Sequence, residues 1–547
     1  MSGVGTKSAL IRQVGLALGV YTLVAVVCIW PALVFPGPSV PGAEQTDLFN
    51  GLWGSWFVRE SIFSGRLPWE VSSLNFPHGG RILVLDPLGS GFVSVLSVLL
   101  GFSKAYTSLV IFRVAASGLM AHFFVRSWLV KQAGIERGVA ERASWLAGVL
   151  YATAPVLLMG VHNGNAESFN GAWLIAAVWG SWMAARTGGW KWICAAGLGL
   201  MGACLANWYS GVCGFLFAGA FLICGAGGGH WKTHLRARVL ALGLGLVLVL
   251  PLAGLVASSH AHPAELSRVQ SEESIHQTRR GEGAASLQGW LIQDSTTTLT
   301  GQPGELVYRS AHGLGVVALL AACWVLFQRR RITGVWLLGG MAGVVLAMGP
   351  ALGIGGRSIP LPYALIEGIP GFDGLSLLWR LGQAPMLSVA VLVGLAFAGL
   401  GRRGAWVLAA GVAMELIVFS PVVGRIGGVS TQVPDAFGGL ADAPSGAVLT
   451  YPVGARDREL FHQLTHAHPL TRSLDTLKND TEYAFWEAMA MEQDQQARLQ
   501  EVGVRYLVVH DHVSAREDPH RGIVQKLESR VSPRFGAGTS SRVYALW

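Results

Sequence analysis

Charge is scarce in this chain of 547 residues: Asp, Glu, Lys and Arg together make up 13% of it, while 52% is hydrophobic. A soluble globular chain carries about 25% charged residues, so the shortage excludes a string of ordinary soluble domains. Cysteine is also sparse. All six (Cys28, Cys194, Cys204, Cys213, Cys224 and Cys323) lie inside apolar runs, and no pair has C-x-x-C spacing. That placement excludes a disulfide framework, a zinc ribbon and thiol chemistry. The H-E-x-x-H pattern of helical zinc sites is missing, as is a glycine-rich dinucleotide fingerprint in the tail. No repeat relates the two halves, as a secondary transporter built from internal repeats would show.

What is present is a succession of apolar runs of about 20 residues, the length that crosses a bilayer. The first, Ile11–Phe35, has Lys7 before it and Arg12 at its start. It is longer than a secretory core of about 7–15 residues and no small-x-small cleavage site follows, so it reads as an uncleaved first span. Ten more are expected at Ala105–Trp128, Ala143–Val161, Phe169–Ala185, Trp190–Asn207, Gly211–Gly225, Val239–Ser258, Gly313–Phe327, Thr333–Pro350, Pro385–Leu400 and Ala405–Val423. The expected class is therefore a polytopic α-helical membrane protein of about eleven spans.

The net charge is +8 and the pI about 9.3, but the basic residues sit in short loops, where they set topology rather than bind nucleic acid. Clusters at Arg126/Lys131/Arg137/Arg142, Arg186/Lys191, Lys232/Arg236/Arg238, Arg329/Arg330/Arg331 and Arg402/Arg403 all fall on one side if the N-terminus is cytoplasmic. That predicts a multi-pass protein of the inner (plasma) membrane. The connections Pro36–Lys104, His162–Ser168, Trp208–Ser210, Ser259–His312 and Ala351–Ala384, together with the tail, then lie on the extracytoplasmic face. Asp86–Phe102, apolar and rich in Gly and Ser, reads as a re-entrant or interfacial helix under protein cover; a twelve-span alternative stays open. Two parts follow: a membrane domain over 1–425, with its first outer loop at 36–104, and a small soluble α/β domain over 426–547. Its strands are expected at Ala447–Val453, Val504–His510 and Val543–Trp547, with an amphipathic helix at Glu482–Glu501.

The first outer loop is the most informative stretch. Thr46 or Asp47 would cap a helix running to about Phe63. Phe49, Trp53, Trp56 and Phe57 fall at helical spacing and would form an interfacial aromatic face. That sets Asp47 at the positive end of a short helix, either as a working carboxylate or as a plain cap.

A first span, an outer loop whose acidic residue opens an aromatic helix, a proline-glycine turn and a tail strand together resemble the GT-C glycosyltransferases. These include protein O-mannosyltransferases, aminoarabinose transferases and oligosaccharyltransferase catalytic subunits. The residues carrying the resemblance are Asp47 to Trp53, Pro77-His78-Gly79 and Gly503–His510. It implies a sugar donor carried on a polyprenyl phosphate or pyrophosphate, and an outer-loop carboxylate serving as base or metal ligand. Asp47 is the matching position, and Glu44, one turn earlier, would assist. In the second outer turn, VHNGNAES, the matching acid is Glu167, with His162 and Asn163 beside it. No Asp-x-Asp stands there, so a divalent metal is possible rather than required. The same residues also suit a polar turn.

A leaving lipid phosphate needs cationic donors. Arg380 is the first choice, with Arg81, His78, Tyr308 and Arg309 as further substrate-binding candidates; each arginine equally suits a headgroup anchor. Arg113, His122 and Glu415 fall inside spans and are functional suspects; Glu415 is expected to pair with an arginine. The histidines at 260/262, 462/466/468 and 510/512 lack the acidic or cysteine complement of a metal site. The reading expected from these residues is sugar transfer from a lipid-linked donor to a glycan, lipid or protein acceptor. A GT-C-like scaffold without catalytic residues and a lipid-linked saccharide flippase are the competing readings.

Overall fold

A computed structural model of the chain describes residues 3–43, 48–81, 86–225, 234–260, 283–291, 312–354, 357–369, 372, 375–420, 423–451, 456–471, 496–510, 532–536 and 541–547. The helices are α1 (Gly3–Cys28), α2 (Trp30–Leu33), α3 (Leu48–Phe63), α4 (Pro87–Leu100), α5 (Phe102–Lys131), α6 (Arg137–Ala152), α7 (Pro155–His162), α8 (Gly171–Thr187), α9 (Trp190–Ala206), α10 (Trp208–Cys224) and α11 (Leu235–His260). They continue as α12 (Val316–Gln328), α13 (Arg330–Ala347), α14 (Gln383–Gly399) and α15 (Arg402–Phe419). Every predicted span position carries a helix. Among the described residues, six helical stretches are long and apolar enough to cross a membrane on length and composition.

Small residues let some of these helices touch backbone to backbone. A Cβ on Gly180 of α8 would stand 2.4 Å from the Ala196 nitrogen, and one on Gly199 of α9 would stand 2.5 Å from that of Ala177. Close approach of this kind is how apolar helices gain packing energy without a hydrophobic driving force. The predicted single span Ala143–Val161 is two helices, α6 and α7, because Pro155 has no N–H to donate back into α6 and starts a new helix instead.

The segment after Asp86 is α4, 14 residues long. At about 1.5 Å per residue it reaches about 21 Å, short of a hydrocarbon core of about 30 Å. Its serine face packs on α3, with Ser94 Oγ donating to the Ser55 carbonyl at 2.7 Å, and Val95 and Leu99 point outward.

The tail begins as a strand partner. β1 (Ser39–Pro41) pairs antiparallel with β6 (Gly428–Ser430), Val40 opposite Val429, while β4 (Ala351–Ile354) and β5 (Arg357–Pro360) form an antiparallel hairpin of their own. The start of the first loop and the start of the tail are therefore at the same end of the bundle. Beyond β6, a three-stranded sheet forms with β7 (Ala447–Tyr451) parallel to β8 (Val504–His510) and β9 (Ser541–Ala545) antiparallel to it, in the order β7-β8-β9. Helices α16 (Asp435–Ala441), α17 (Arg456–His466) and α18 (Gln496–Val502) accompany it. α17 was not expected from the sequence. Of the predicted helix Glu482–Glu501, residues 482–495 lie outside the described residues.

Candidate functional site

The site is built where α3, the turn over 162–168 and the tail meet. α3 starts at Leu48 and ends at Phe63, the end expected from its sequence. Its aromatic stripe is not interfacial. Phe49 meets Phe461 of α17 at 5.4 Å between ring centres, Trp53 stacks on Phe57 at 5.2 Å, and Trp53 Nε1 donates to Gln463 Oε1 at 2.6 Å. The stripe is covered by the tail, whose α17 offers matching apolar positions and a buried amide for the indole N–H. Gln463 Nε2 donates in turn to the carbonyls of Ser73 and His468, at 2.8 and 2.9 Å. One fully buried amide thus ties together α3, the first loop and the tail.

Two stretches that carry the GT-C resemblance also touch. A hairpin of β2 (Glu70–Val71) and β3 (Gly80–Arg81) is closed by the turn at Asn75–Gly79. A Cβ on Gly79 would fall 2.7 Å from the Val71 carbonyl oxygen, so only glycine fits. The loop docks on the tail: the Phe76 N–H donates to the Leu470 carbonyl at 3.1 Å and the Leu470 N–H to that of Ser73 at 2.9 Å. The Phe76 ring lies against Gly503. His78 is exposed at the hairpin tip.

The first residue of α3 rests on the turn over 162–168. Gly164 has φ +67°, and a Cβ there would sit 2.3 Å from Leu48 Cβ and 2.8 Å from Leu48 N. The turn is held by Asn165 N–H donating to the Gly160 carbonyl at 2.8 Å and Ser168 N–H to that of Asn165 at 2.9 Å. Asn163 is buried in it, and His162, half-buried, closes α7. Glu44 and Asp47, immediately before α3, lie outside the described residues. Of Glu167 the backbone alone is described, in a 3-10 helix over Ala166–Phe169, and of Arg81 the backbone alone, in β3.

Beneath that 3-10 helix is an ion pair that sequence reasoning missed. Arg113 of α5 places Nη2 2.6 Å from Asp86 Oδ2 and 2.7 Å from Oδ1, with both side chains about 4% exposed or less. Asp86 Oδ1 also accepts from the Gly89 N–H at 2.9 Å, capping α4 from a left-handed backbone at φ 59°. The Arg113 guanidinium stands 5.6 Å from the centre of the Phe169 ring. Arg113, without a visible partner in the sequence, therefore ties α4, α5 and the stretch of chain carrying Glu167. Glu415 was expected to meet an arginine. It instead accepts from the N–H groups of Val316 and Val317 at the start of α12, the orphan donors of a helix N-terminus.

Arg380 lies in a buried 3-10 helix, Leu378–Gly382, its guanidinium 5.5 Å from the centre of the Tyr209 ring and 5.8 Å from that of Trp379. Tyr209 Oη accepts from the Leu377 N–H at 2.8 Å, and Ser210 Oγ donates to Gln383 Oε1 at 2.8 Å, so α10 sets the segment's position. A Cβ on Gly382 would stand 3.5 Å from Val156 on α7 and 3.4 Å from His312. α7 is thus shared: its end carries the turn under Leu48, and its flank carries the Arg380 segment. His312, also missed, is buried with Nε2 3.0 Å from the Ser286 carbonyl and its ring 4.7 Å from Trp290. Burial holds its pKa down at about 4, so it is neutral near pH 7. Tyr308 and Arg309 lie outside the described residues.

His462, His466 and His510 pack around Phe437 inside the tail, at 4.1, 5.9 and 6.2 Å between ring centres. Among the described residues no three of His, Cys, Asp and Glu are grouped to hold a metal ion. The Asp86 carboxylate is already neutralised by Arg113.

No protein-family model matches the chain. No curated protein matches it in sequence. Solved structures do match its fold, and they are membrane transferases of the GT-C superfamily. An aminoarabinose transferase, ArnT from Cupriavidus metallidurans bound to undecaprenyl phosphate, superposes with a TM-score of 0.51 at 12% identity, over 99% of this chain and 98% of its own. The oligosaccharyltransferase AglB from Archaeoglobus fulgidus, in complex with an inhibitory peptide and a dolichol-phosphate, gives 0.51 at 13% identity, over 91% of this chain and 69% of its own. The arabinofuranosyltransferase AftD from Mycobacteria gives 0.52 at 15% identity, over 98% of this chain but 41% of its own. The chain has the GT-C fold.

Proposed function

We propose that the chain is a membrane glycosyltransferase that moves a sugar from a polyprenyl-phosphate-linked donor to an acceptor at the end of the bundle bearing α3 and the tail. Asp47 accepts the proton of the acceptor hydroxyl as that oxygen bonds to the anomeric carbon; the bond to the lipid phosphate oxygen breaks, and the phosphate leaves on Arg380. A carboxylate in hydrogen-bond reach of the acceptor does this work, and a buried forked cation suits the departing phosphate. Glu167 and Glu44 are the accessory carboxylates, and the site faces the extracytoplasmic leaflet of an eleven-span, N-inside topology.

The observation that carries the reading is the seat of α3: its first residue, Leu48, lies on Gly164, between His162 and Glu167 in sequence. Asp47 directly precedes Leu48 in the chain, which supports a working position beside the second outer turn. Purified protein in lipid vesicles, given membrane extract containing radiolabelled polyprenyl-phosphate sugars, should transfer label. Asp47→Asn should lower the rate by roughly 10²-fold or more, the usual worth of a general base, while the protein stays folded and inserted. Undiminished transfer by that variant would remove Asp47 from the mechanism.

A further inference from the structure

At the opposite end of the bundle, α1, α5 and α6 part around a cavity of about 550 Å³. Arg12 and Leu16 of α1, Arg126 of α5, and Arg137, Glu141 and Trp145 of α6 line it. It is far from the proposed transfer site: the other ends of the same helices lead into the strand paired with the tail, into α4 and into the turn at Gly164.

The charge balance is positive. Arg126 Nε lies 2.6 Å from Glu141 Oε2, and Glu141 Oε1 lies 3.4 Å from His122 Nε2, so the one lining carboxylate is already engaged. Arg12 and Arg137 make no ion pair among the described residues. Glu136, whose carboxylate hangs 3.6 Å from where a Gly138 Cβ would be, leaves the surplus positive. Gly138 also lines the cavity, at the second position of α6. The first bond of that helix runs from the Ala140 N–H to the Glu136 carbonyl at 2.9 Å, and no side chain caps it. The N–H groups before Ala140 are therefore orphan donors at the positive end of a 16-residue helix.

Apart from Gln13, the rest of the lining is apolar. Trp145 stacks on Tyr21 at 5.5 Å, and Leu16 is 64% exposed on a stretch of α1 of which only 22% is buried. Two guanidiniums outside any ion pair among the described residues and backbone donors beside an open greasy helix flank fit an amphiphile with an anionic head. Basic pockets between spans at a membrane surface hold such heads.

We propose that this cavity seats the phosphate headgroup of an anionic phospholipid in the leaflet opposite the transfer site, with Arg12 and Arg137 on the phosphate and the acyl chains along α1. The test uses full-length protein exchanged into mixed phosphatidylglycerol and phosphatidylcholine, then native mass spectrometry of the lipid retained. The wild type should hold one phosphatidylglycerol roughly tenfold or more in preference to phosphatidylcholine, two surface arginines being worth up to about thirtyfold. The double variant R12Q/R137Q should lose the preference and R12K/R137K should keep most of it. Gly138→Glu, which suits a helix start yet places a carboxylate in the mouth, should lose it without removing any arginine. Millimolar inorganic phosphate should leave the bound lipid in place. Equal retention of the two lipids, retention in both R12Q/R137Q and Gly138→Glu, or release by inorganic phosphate alone would each overturn the proposal.

Discussion

Replacing Arg113 by leucine takes a guanidinium away from the Asp86 carboxylate in a place from which water is nearly absent: both side chains are about 4% exposed or less. The leucine fills most of the stem volume, so packing changes little and the charge dominates. Leaving one partner of a buried pair uncompensated costs about 3–5 kcal/mol. Asp86→Asn strands the arginine instead and should cost a similar amount, although an asparagine oxygen still accepts from the Gly89 N–H and keeps most of a cap worth about 1 kcal/mol. The double variant D86N/R113L has neither stranded charge and should be more stable than either single one, with a coupling energy of about 2 kcal/mol or more. Thermal unfolding in detergent, followed by tryptophan fluorescence, reads this directly. Singles within about 1 kcal/mol of wild type, or a double variant whose loss equals the sum of the two, would refute the reasoning.

Gly164→Ala should destabilise by about 1–3 kcal/mol, the usual worth of a residue forced into a left-handed backbone, and should depress transfer by displacing Leu48; melting and the vesicle assay check both. Gln463→Leu leaves the Trp53 indole N–H buried without its acceptor, at about 1–3 kcal/mol. Hydrogen exchange should then rise in α3 and the tail together, and a rise confined to one of them would contradict the shared anchor. His466 has its pKa lowered to about 3, by burial first and by neighbouring His468 second. A depressed base is stable while neutral: its contribution is full above the unfolded value of about 6.5 and is lost as pH falls from there toward about 3. The melting temperature of the tail should drop across that window, and His466→Asn, which keeps an acceptor for the His468 N–H, should flatten the slope.

The helical positions were legible because a chain that folds in water does not repeat apolar runs of spanning length, and the strands at Ala447 and Val504 because β-branched residues cluster there between turns. The end of α3 at Phe63 followed from its aromatic spacing. What covered that stripe did not: spacing identifies an apolar face but not whether lipid or protein meets it, and α17, RDRELFHQLTH, hides Leu460, Phe461 and Leu464 among charges. The Asp86–Arg113 and Glu415–Val316 contacts join residues 27 and 99 positions apart, distances at which sequence gives no register. Pro155 was a readable break that the apolar run on both sides obscured. His312 was silent because its significance comes from Ser286 and Trp290, which only the folded loops bring beside it.

In the proposed reaction a lipid phosphate reaches the end of the bundle where α3, the turn at Gly164 and the Arg380 segment lie. A polyprenyl phosphate bearing a photoreactive group near its phosphate, cross-linked to the protein in vesicles and mapped by peptide mass spectrometry, tests it without requiring the sugar. Adducts in Leu48–Phe57, His162–Phe169 or Leu375–Gln383, competed by unlabelled polyprenyl phosphate and reduced in Arg380→Met, are the predicted result. Adducts confined to other segments, or unchanged by Arg380→Met and by competitor, would contradict it.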